Sequence, residues 1–495
     1  MDMHMDLECA FWKSQRKLPA LLGERKMARR IIQIFGASHV RKMGWQKLVL
    51  IIYLQENKLL MKAFGSRKID LGKAPYVVQM LLLALAAFGC YTSMYAYRKA
   101  FTAAMFAELP VLGIDYKVWL VIAQVMGYML SKFYGIKFVA ELGQRKRGVK
   151  LLVLIGLAWI ALLGFAVTPA PYNILFMFMN GLPLGMIWGI VFSYLEGRRA
   201  TEFLAAVMSV SLVFASGFVK SLARFLMEHL RVTESWMPFA TGLLFVLPLL
   251  LFTTILERVP PPDAEDKALR TERKPMTHTE RISFLKSFWP GLAIVVLIYL
   301  LFTMLRDVRD NFEVEIWADV GVTDGGIYFR TDTFIALLVL ALMSLMICVK
   351  GNVRAFSYIH MMLFFGCMLA AGVTYCFQNQ LLDSVTWMVL TGLGLYMVYI
   401  PFNAIFFERF LAAFKVKGNI GFLMYVADSV GYLGSVFVLL VRELGLFQAS
   451  WGSFFQIMVL FGAGIGAIAV ALSAVYFRQK YRRHSATMGD MEFAK

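Results

Sequence analysis

Cysteine is scarce in this 495-residue chain, and what there is does not cluster. Cys9, Cys90, Cys348, Cys367 and Cys376 contain no CxxC pair, so neither a metal site nor a disulfide framework is expected, and they read as small apolar residues. The signatures of soluble enzymes are missing too: there is no GxxxxGK[ST] loop, no HExxH and no GxSxG. With no nucleophile–base pair and no metal cluster in sight, the chain is expected not to be an enzyme and to hold no cofactor and no metal. Alternation at period two is absent, which excludes a β-barrel. Acidic residues are the other shortage: 32 Asp and Glu face 50 Lys and Arg, for a formal net charge of +18.

What is abundant is apolar sequence. The chain is 59% hydrophobic with a mean hydropathy of +0.66, far from a soluble domain. The apolar residues come in runs of about 20, the length that crosses a hydrocarbon core of roughly 30 Å. The expected fold is therefore an all-α integral membrane protein. In a soluble protein the basic excess would suggest nucleic acid. Here most Lys and Arg fall between the apolar runs, which is the positive-inside pattern, so no nucleic-acid partner is expected. The expected partners are the lipid bilayer and a small molecule, and the chain is expected to be a monomer.

Residues 1–74 form a basic N-terminal extension whose apolar stretch Leu48–Leu54 is too short to span. It reads either as an amphipathic helix on an anionic leaflet or as a disordered extension. Twelve spans follow, at about 76–106, 116–139, 149–168, 171–195, 201–229, 234–256, 287–312, 331–350, 354–377, 384–408, 416–442 and 451–477. This divides the chain into a six-helix bundle (75–256), a solvated charged linker (257–286), a second six-helix bundle (287–478) and a tail (479–495). The loops after spans two and four, the linker, the Lys350–Arg354 and Arg409–Lys417 loops and the tail are all basic. That pattern puts both termini in the cytoplasm, in a multi-pass protein of the inner (cell) membrane. Two pseudo-symmetric six-helix halves joined by a basic loop is the plan of the major facilitator superfamily, in which the site lies near mid-membrane between the halves.

Ionisable residues inside spans are costly, so each is a candidate for function. Arg98 and Lys99 come late in the first span, near Tyr91, Tyr95 and Tyr97. An arginine fork suits phosphate or carboxylate, while snorkelling to the interface is the structural alternative. Lys132 lies in the second span beside Tyr128, and offers a second cation or another snorkelling one. The seventh span ends with Arg306, Asp307, Arg309 and Asp310, either a substrate-binding arginine positioned by a carboxylate or a self-neutralised cluster. Lys220 and Arg224 lie one turn apart in the fifth span. Asp428, midway along the eleventh, is a coupling candidate or a hydrogen-bonded packing residue. His360 and the glycines at 181, 185 and 189 read as packing. Glu408 and Arg409 read as gate or interface charges.

Two passages resemble a known family. Tyr97-Arg98-Lys99-Ala100-Phe101-Thr102-Ala103-Ala104-Met105 resembles the first-helix motif of the organophosphate:phosphate antiporters of the major facilitator superfamily. Gly127-Tyr128 and Ser131-Lys132-Phe133 resemble their second-helix motif, at similar spacing. The resemblance implies that Arg98 binds a phosphoryl group with Lys132 close by. It departs in helix seven, where Tyr299-Leu300-Leu301 is followed by Phe302 and an arginine, Arg306, appears only about one turn later. It departs again after span two, where Glu141 and Arg145 stand loosely for the superfamily's cytoplasmic gate. The expected function is a secondary transporter, an antiporter, for a small anionic solute (organophosphate, phosphate or carboxylate). Arg98, Lys132, Arg306, Arg309, Tyr95 and Tyr128 would bind it. The alternatives are a proton-coupled transporter of a neutral or cationic solute using Asp428, and a non-transporting membrane receptor or scaffold.

Overall fold

Backbone amides have no water partner in lipid, so a spanning segment must satisfy them within itself, and a helix does so. The computed structural model describes residues 75–106, 110–140, 146–263, 265–266, 278–414, 420–446 and 449–493. The extension 1–74, Glu141 and Arg145 lie outside the described residues.

The first half contains α1 (Tyr76–Lys99), prolonged by a 3-10 turn Ala100–Ala103, then a short hairpin of β1 (Pro110–Val111) and β2 (Ile114–Asp115). It continues with α2 (Tyr116–Ala140), α3 (Arg147–Val167), α4 (Ile174–Leu184), α5 (Ile187–Leu195), α6 (Thr201–Leu230), α7 (Met237–Leu244) and α8 (Val246–Arg258). The second half contains α9 (His278–Asn311), α10 (Glu313–Asp319), α11 (Ile327–Ile347), α12 (Asn352–Gln378), α13 (Ser384–Ala404), α14 (Phe406–Ala413), α15 (Ile420–Val441), a π turn Arg442–Leu446 and α16 (Trp451–Phe493).

Among the described residues, nine spans, α4 with α5 counting as one, and one further pair bent by 43° are long and apolar enough to cross a membrane. The helices α2 and α15, of 25 and 22 residues, bring the spans to twelve. This is an all-α, multi-pass membrane protein. Its outward surface is apolar, with Leu81, Leu157, Ile160, Leu337, Phe365 and Ile468 all exposed, as a lipid-facing surface requires.

Three expected spans are broken, each beside a proline, whose nitrogen cannot donate to the carbonyl four residues earlier. Pro183 precedes the break between α4 and α5, and Pro401 the break before α14. Pro248 begins the leg beyond the 43° bend between α7 and α8. The linker is less free than its charges suggest. Asp266 is buried and accepts from the Tyr76 hydroxyl and from the Arg199 backbone N–H.

Within each half some helices touch backbone to backbone. A Cβ on Gly127 of α2 would lie 2.2 Å from the Phe178 carbonyl oxygen of α4, and one on Gly181 would lie 2.2 Å from that of Gln124. Only glycine allows this approach. In the second half Gly366 of α12 meets the Gly394 carbonyl of α13 in the same way, and Gly431 of α15 sits against the Thr303 side chain of α9. His360 packs as expected, its ring nitrogens engaged by the Phe356 carbonyl and Ser473.

Candidate functional site

A narrow cavity lies between the halves. It is lined by Tyr91, Tyr95 and Arg98 from α1, Tyr128 and Lys132 from α2, Trp188 from α5 and Leu212 from α6. From the other half come Arg306 of α9, Tyr399 and Asn403 of α13, and Met424, Asp428 and Tyr432 of α15. It is small, with room for one or two waters.

Helix direction explains the convergence. Side chains lean toward the N-terminus of their helix. α1 begins at the linker, where Tyr76 meets Asp266, and ends at Lys99 against Asn311. Arg98 therefore leans back from the hairpin end toward mid-membrane. α2 runs the other way, so Lys132 leans toward the same level. They meet over one ring: the Arg98 guanidinium carbon is 3.9 Å and the Lys132 Nζ 5.3 Å from the Tyr128 centroid.

The end of α1 is braced by side chains. The switch to a 3-10 turn removes α-helical partners from the last carbonyls. Asn180 donates to the Tyr97 carbonyl at 3.0 Å, and Gln124 to the Arg98 carbonyl at 2.8 Å. Gln124 also donates to Asn180 at 2.8 Å. Neither residue stood out in the sequence, since a lone Gln or Asn in an apolar run carries no charge signal.

The cations of the cavity are treated unequally. Lys132 pairs with Asp428, which also accepts from the Tyr299 hydroxyl. Arg306 lies 2.6 Å from Asp307, which accepts from Ser435, and sits 4.4 Å from the Tyr399 ring. Arg98 is only 4% exposed, yet among the described residues no carboxylate pairs with it and its Nε has no hydrogen-bond partner. Its company is aromatic: Tyr128, and Tyr95 at 5.9 Å.

Lys99 and Arg309 go elsewhere, which corrects the expectation that Arg309 lines the binding site. Residues three apart on a helix are about 60° apart around it. Arg306 thus faces the cavity while Arg309 faces α11, where the buried Asp332 holds it at 2.8 Å. Lys99 is turned about 100° from Arg98 and meets Asp310 at 2.5 Å and Asn311 at 2.6 Å.

These contacts belong to a buried ionic layer at the hairpin end. Lys220 of α6 pairs with Glu313 at 2.6 Å and Asp310 at 3.3 Å, Ser216 donates to Asp310, and Lys117 of α2 pairs with Glu315 at 2.5 Å. The layer is therefore not self-neutralised within α9, because its lysines come from the first half. Glu315 lies on α10, beyond the spans. Burial pushes its carboxyl above the ordinary range, and Lys117 offsets this only in part. At the linker end the halves meet through Arg409 and Glu202 at 2.6 Å.

Comparison with known proteins gives the fold independently. A D-xylose–proton symporter superposes with a TM-score of 0.53 at 13% identity, covering 79% of this chain and 97% of that one. A second structure, the major facilitator superfamily proton:xylose symporter XylE bound to 6-bromo-6-deoxy-D-glucose, gives 0.53 at 13%, covering 82% and 96%. The nucleoside transporter NupG, in mutant form, gives 0.50 at 15%, covering 81% and 99%. The chain thus has the fold of the major facilitator superfamily. By sequence, no curated protein matches at a significant level. The model of a family described as "Family of unknown function (DUF5690)" matches residues 100–480, more than three quarters of the chain, and the protein belongs to that family.

Proposed function

We propose that the protein is a secondary transporter for a small anionic solute: an organophosphate, phosphate or carboxylate. Arg98, Lys132 and Arg306 bind the anionic group, and Tyr95 and Tyr128 pack against it. One observation carries this reading. Arg98 is a buried arginine that lines the cavity between the halves and has no carboxylate partner among the described residues. An isolated buried charge costs several kcal/mol, so a protein that keeps one has a use for it. The structural neighbours are named for xylose and for a nucleoside; the unanswered arginine is what points this chain toward an anion instead.

The basic loops gather at the linker end, so in this reading that end faces the cytoplasm and the hairpin end faces outward. The cavity has room for one or two waters, and a solute larger than that enters only when the halves move apart. Opening outward then requires Lys99, Lys117 and Lys220 to leave Asp310, Glu313 and Glu315.

The test is a thermal-shift screen of the purified protein against phosphate, sugar phosphates, carboxylates, free sugars and nucleosides. A ligand that binds only the native state raises its apparent stability. At least one anion is expected to stabilise the wild type and to fail with Arg98→Gln. A second reading, a proton-coupled carrier of a neutral solute using Asp428, draws on the five tyrosines and one tryptophan lining the cavity. Stabilisation by a free sugar or nucleoside, undiminished in Arg98→Gln and with no anion active, would establish it and remove the anion reading.

A further inference from the structure

The charges of the cavity do not cancel. Arg98, Lys132 and Arg306 line it as three cations; Asp428 lines it beside Lys132, and Asp307 pairs with Arg306 from outside the lining, so two carboxylates answer three buried cations and one net positive charge is left. Arg98 is the cation left over, so it alone can receive one unit of negative charge. Lys132 is occupied: its ammonium is bound to Asp428 across the gap between the halves. An anionic group that grips both Arg98 and Lys132 has to displace the Asp428 carboxylate.

We propose that a proton makes this displacement possible, and that the solute is a dianion carried with one proton. This rests on the anion reading above. The charges decide between the routes. A dianion entering alone would turn the cavity from one net positive to one net negative charge, with Asp428 stranded. A dianion entering with a proton leaves it neutral: the proton bonds to the Asp428 carboxylate, the Lys132 ammonium keeps its own proton and turns to the dianion, and Arg98 takes the second charge. In a buried site the neutral arrangement is strongly favoured. A monoanion reaches neutrality on Arg98 alone and needs no proton.

The surroundings of Asp428 are suited to this exchange. From α2 it faces Lys132 and Tyr128, from α9 Tyr299 and Arg306, from α13 Tyr399 and Asn403, from α1 Arg98, and from its own helix Tyr432. On α14, which also packs against α15, Arg409 turns away to Glu202 and Asn352. Among the described residues no second carboxylate lines the cavity with it, Asp307 being paired with Arg306 and Ser435 outside the lining. The Tyr299 hydroxyl, itself 3.3 Å from that of Tyr399, donates to the Asp428 carboxylate and can accept from the protonated form.

The experiment uses two probes whose charge does not change near neutral pH: sulfate, a dianion, and D-gluconate, a monoanion. Binding to the purified full-length protein is measured at about pH 5.5 and about pH 7.5 by calorimetry. Sulfate is expected to bind at least about tenfold tighter at the lower pH, as uptake of one proton predicts, and gluconate to change less than about twofold. Asp428→Asn, which mimics the protonated side chain, is expected to bind sulfate equally at both values and as tightly as the wild type at the lower. Should that variant not fold, calorimetry of the wild type in buffers of different ionisation enthalpy decides: sulfate binding is expected to take up about one proton and gluconate binding none. Sulfate affinity that is flat with pH in the wild type overturns the proposal but leaves the anion reading standing. A pH response of gluconate as large as that of sulfate overturns it in the same way, as does failure of sulfate to bind while another anion of the screen does. Failure of every anion in the screen removes both.

Discussion

Two buried ionic regions lie one above the other between the halves, and they are balanced differently. In the layer at the hairpin end, Lys99, Lys117, Lys220 and Arg309 meet Asp310, Glu313, Glu315 and Asp332, so every cation has a carboxylate. Around the cavity three cations share two carboxylates, and among the described residues none pairs with Arg98. Both regions draw charges from both halves, and the charged side chains of both are buried. Burial is common to them, so burial alone does not mark a binding site. The uncompensated charge does. A matched layer holds the halves together, whereas an unmatched arginine holds a place for something else.

The largest expected effect comes from breaking the balance of the layer. Asp310→Asn leaves Lys99 without its carboxylate and weakens the hold on Lys220, and removing one partner of a buried pair costs about 3–5 kcal/mol. Thermal melting should show the loss. The variant melting like the wild type would mean that the layer contributes nothing to closure.

The opposite result is expected in the cavity. Arg98→Gln should reduce anion affinity about 10- to 100-fold, the worth of charge-assisted hydrogen bonds of about 1.5–3 kcal/mol. It should leave the ligand-free protein equally stable or more so, because no partner is stranded. A large drop in ligand-free stability would show that Arg98 is structural and erase the contrast.

Asp266 supplies a titrating reference outside the membrane. Its burial raises the carboxyl, but the Arg199 and Asp263 backbone N–H groups, the Tyr76 hydroxyl and the Arg199 charge outweigh this and hold it below the usual aspartate range. A depressed carboxyl stabilises the fold above its unfolded value and loses that contribution as pH falls through its folded one. Melting followed from about pH 5 to about pH 3 should show a loss of stability that is smaller in Asp266→Asn than in the wild type. The smallest effect belongs to the Arg409–Glu202 pair, 12% and 22% exposed. Arg409→Gln should cost about 0–1 kcal/mol in melting experiments, less at high salt.

The positions of the twelve spans were legible because apolar runs of membrane length are a one-dimensional signal. So were Arg98, Lys132 and Asp428 as residues out of place in such runs. Their pairing was not, since 296 residues separate Lys132 from Asp428. The difference between Arg306 and Arg309, or between Arg98 and Lys99, is a rotation about a helix axis, fixed by whichever neighbour presents a carboxylate. Asp332 and Asp310 make that choice from other helices or through them. The breaks at Pro183 and Pro248 did leave a mark in the sequence, but hydropathy over a window passes across a proline without changing sign.

The backbone contact at Gly127 and Gly181 has a consequence for motion. It ties α2 to α4, so Lys132 travels with the first half, while the seat of Gly431 on Thr303 ties Asp428 to the second. Neither helix can slide on its own body by more than a fraction of a turn without meeting a carbonyl oxygen, in the case of α2, or the Thr303 side chain, in the case of α15. The separation of that one pair is therefore a built-in protractor, reading the angle between two rigid bodies.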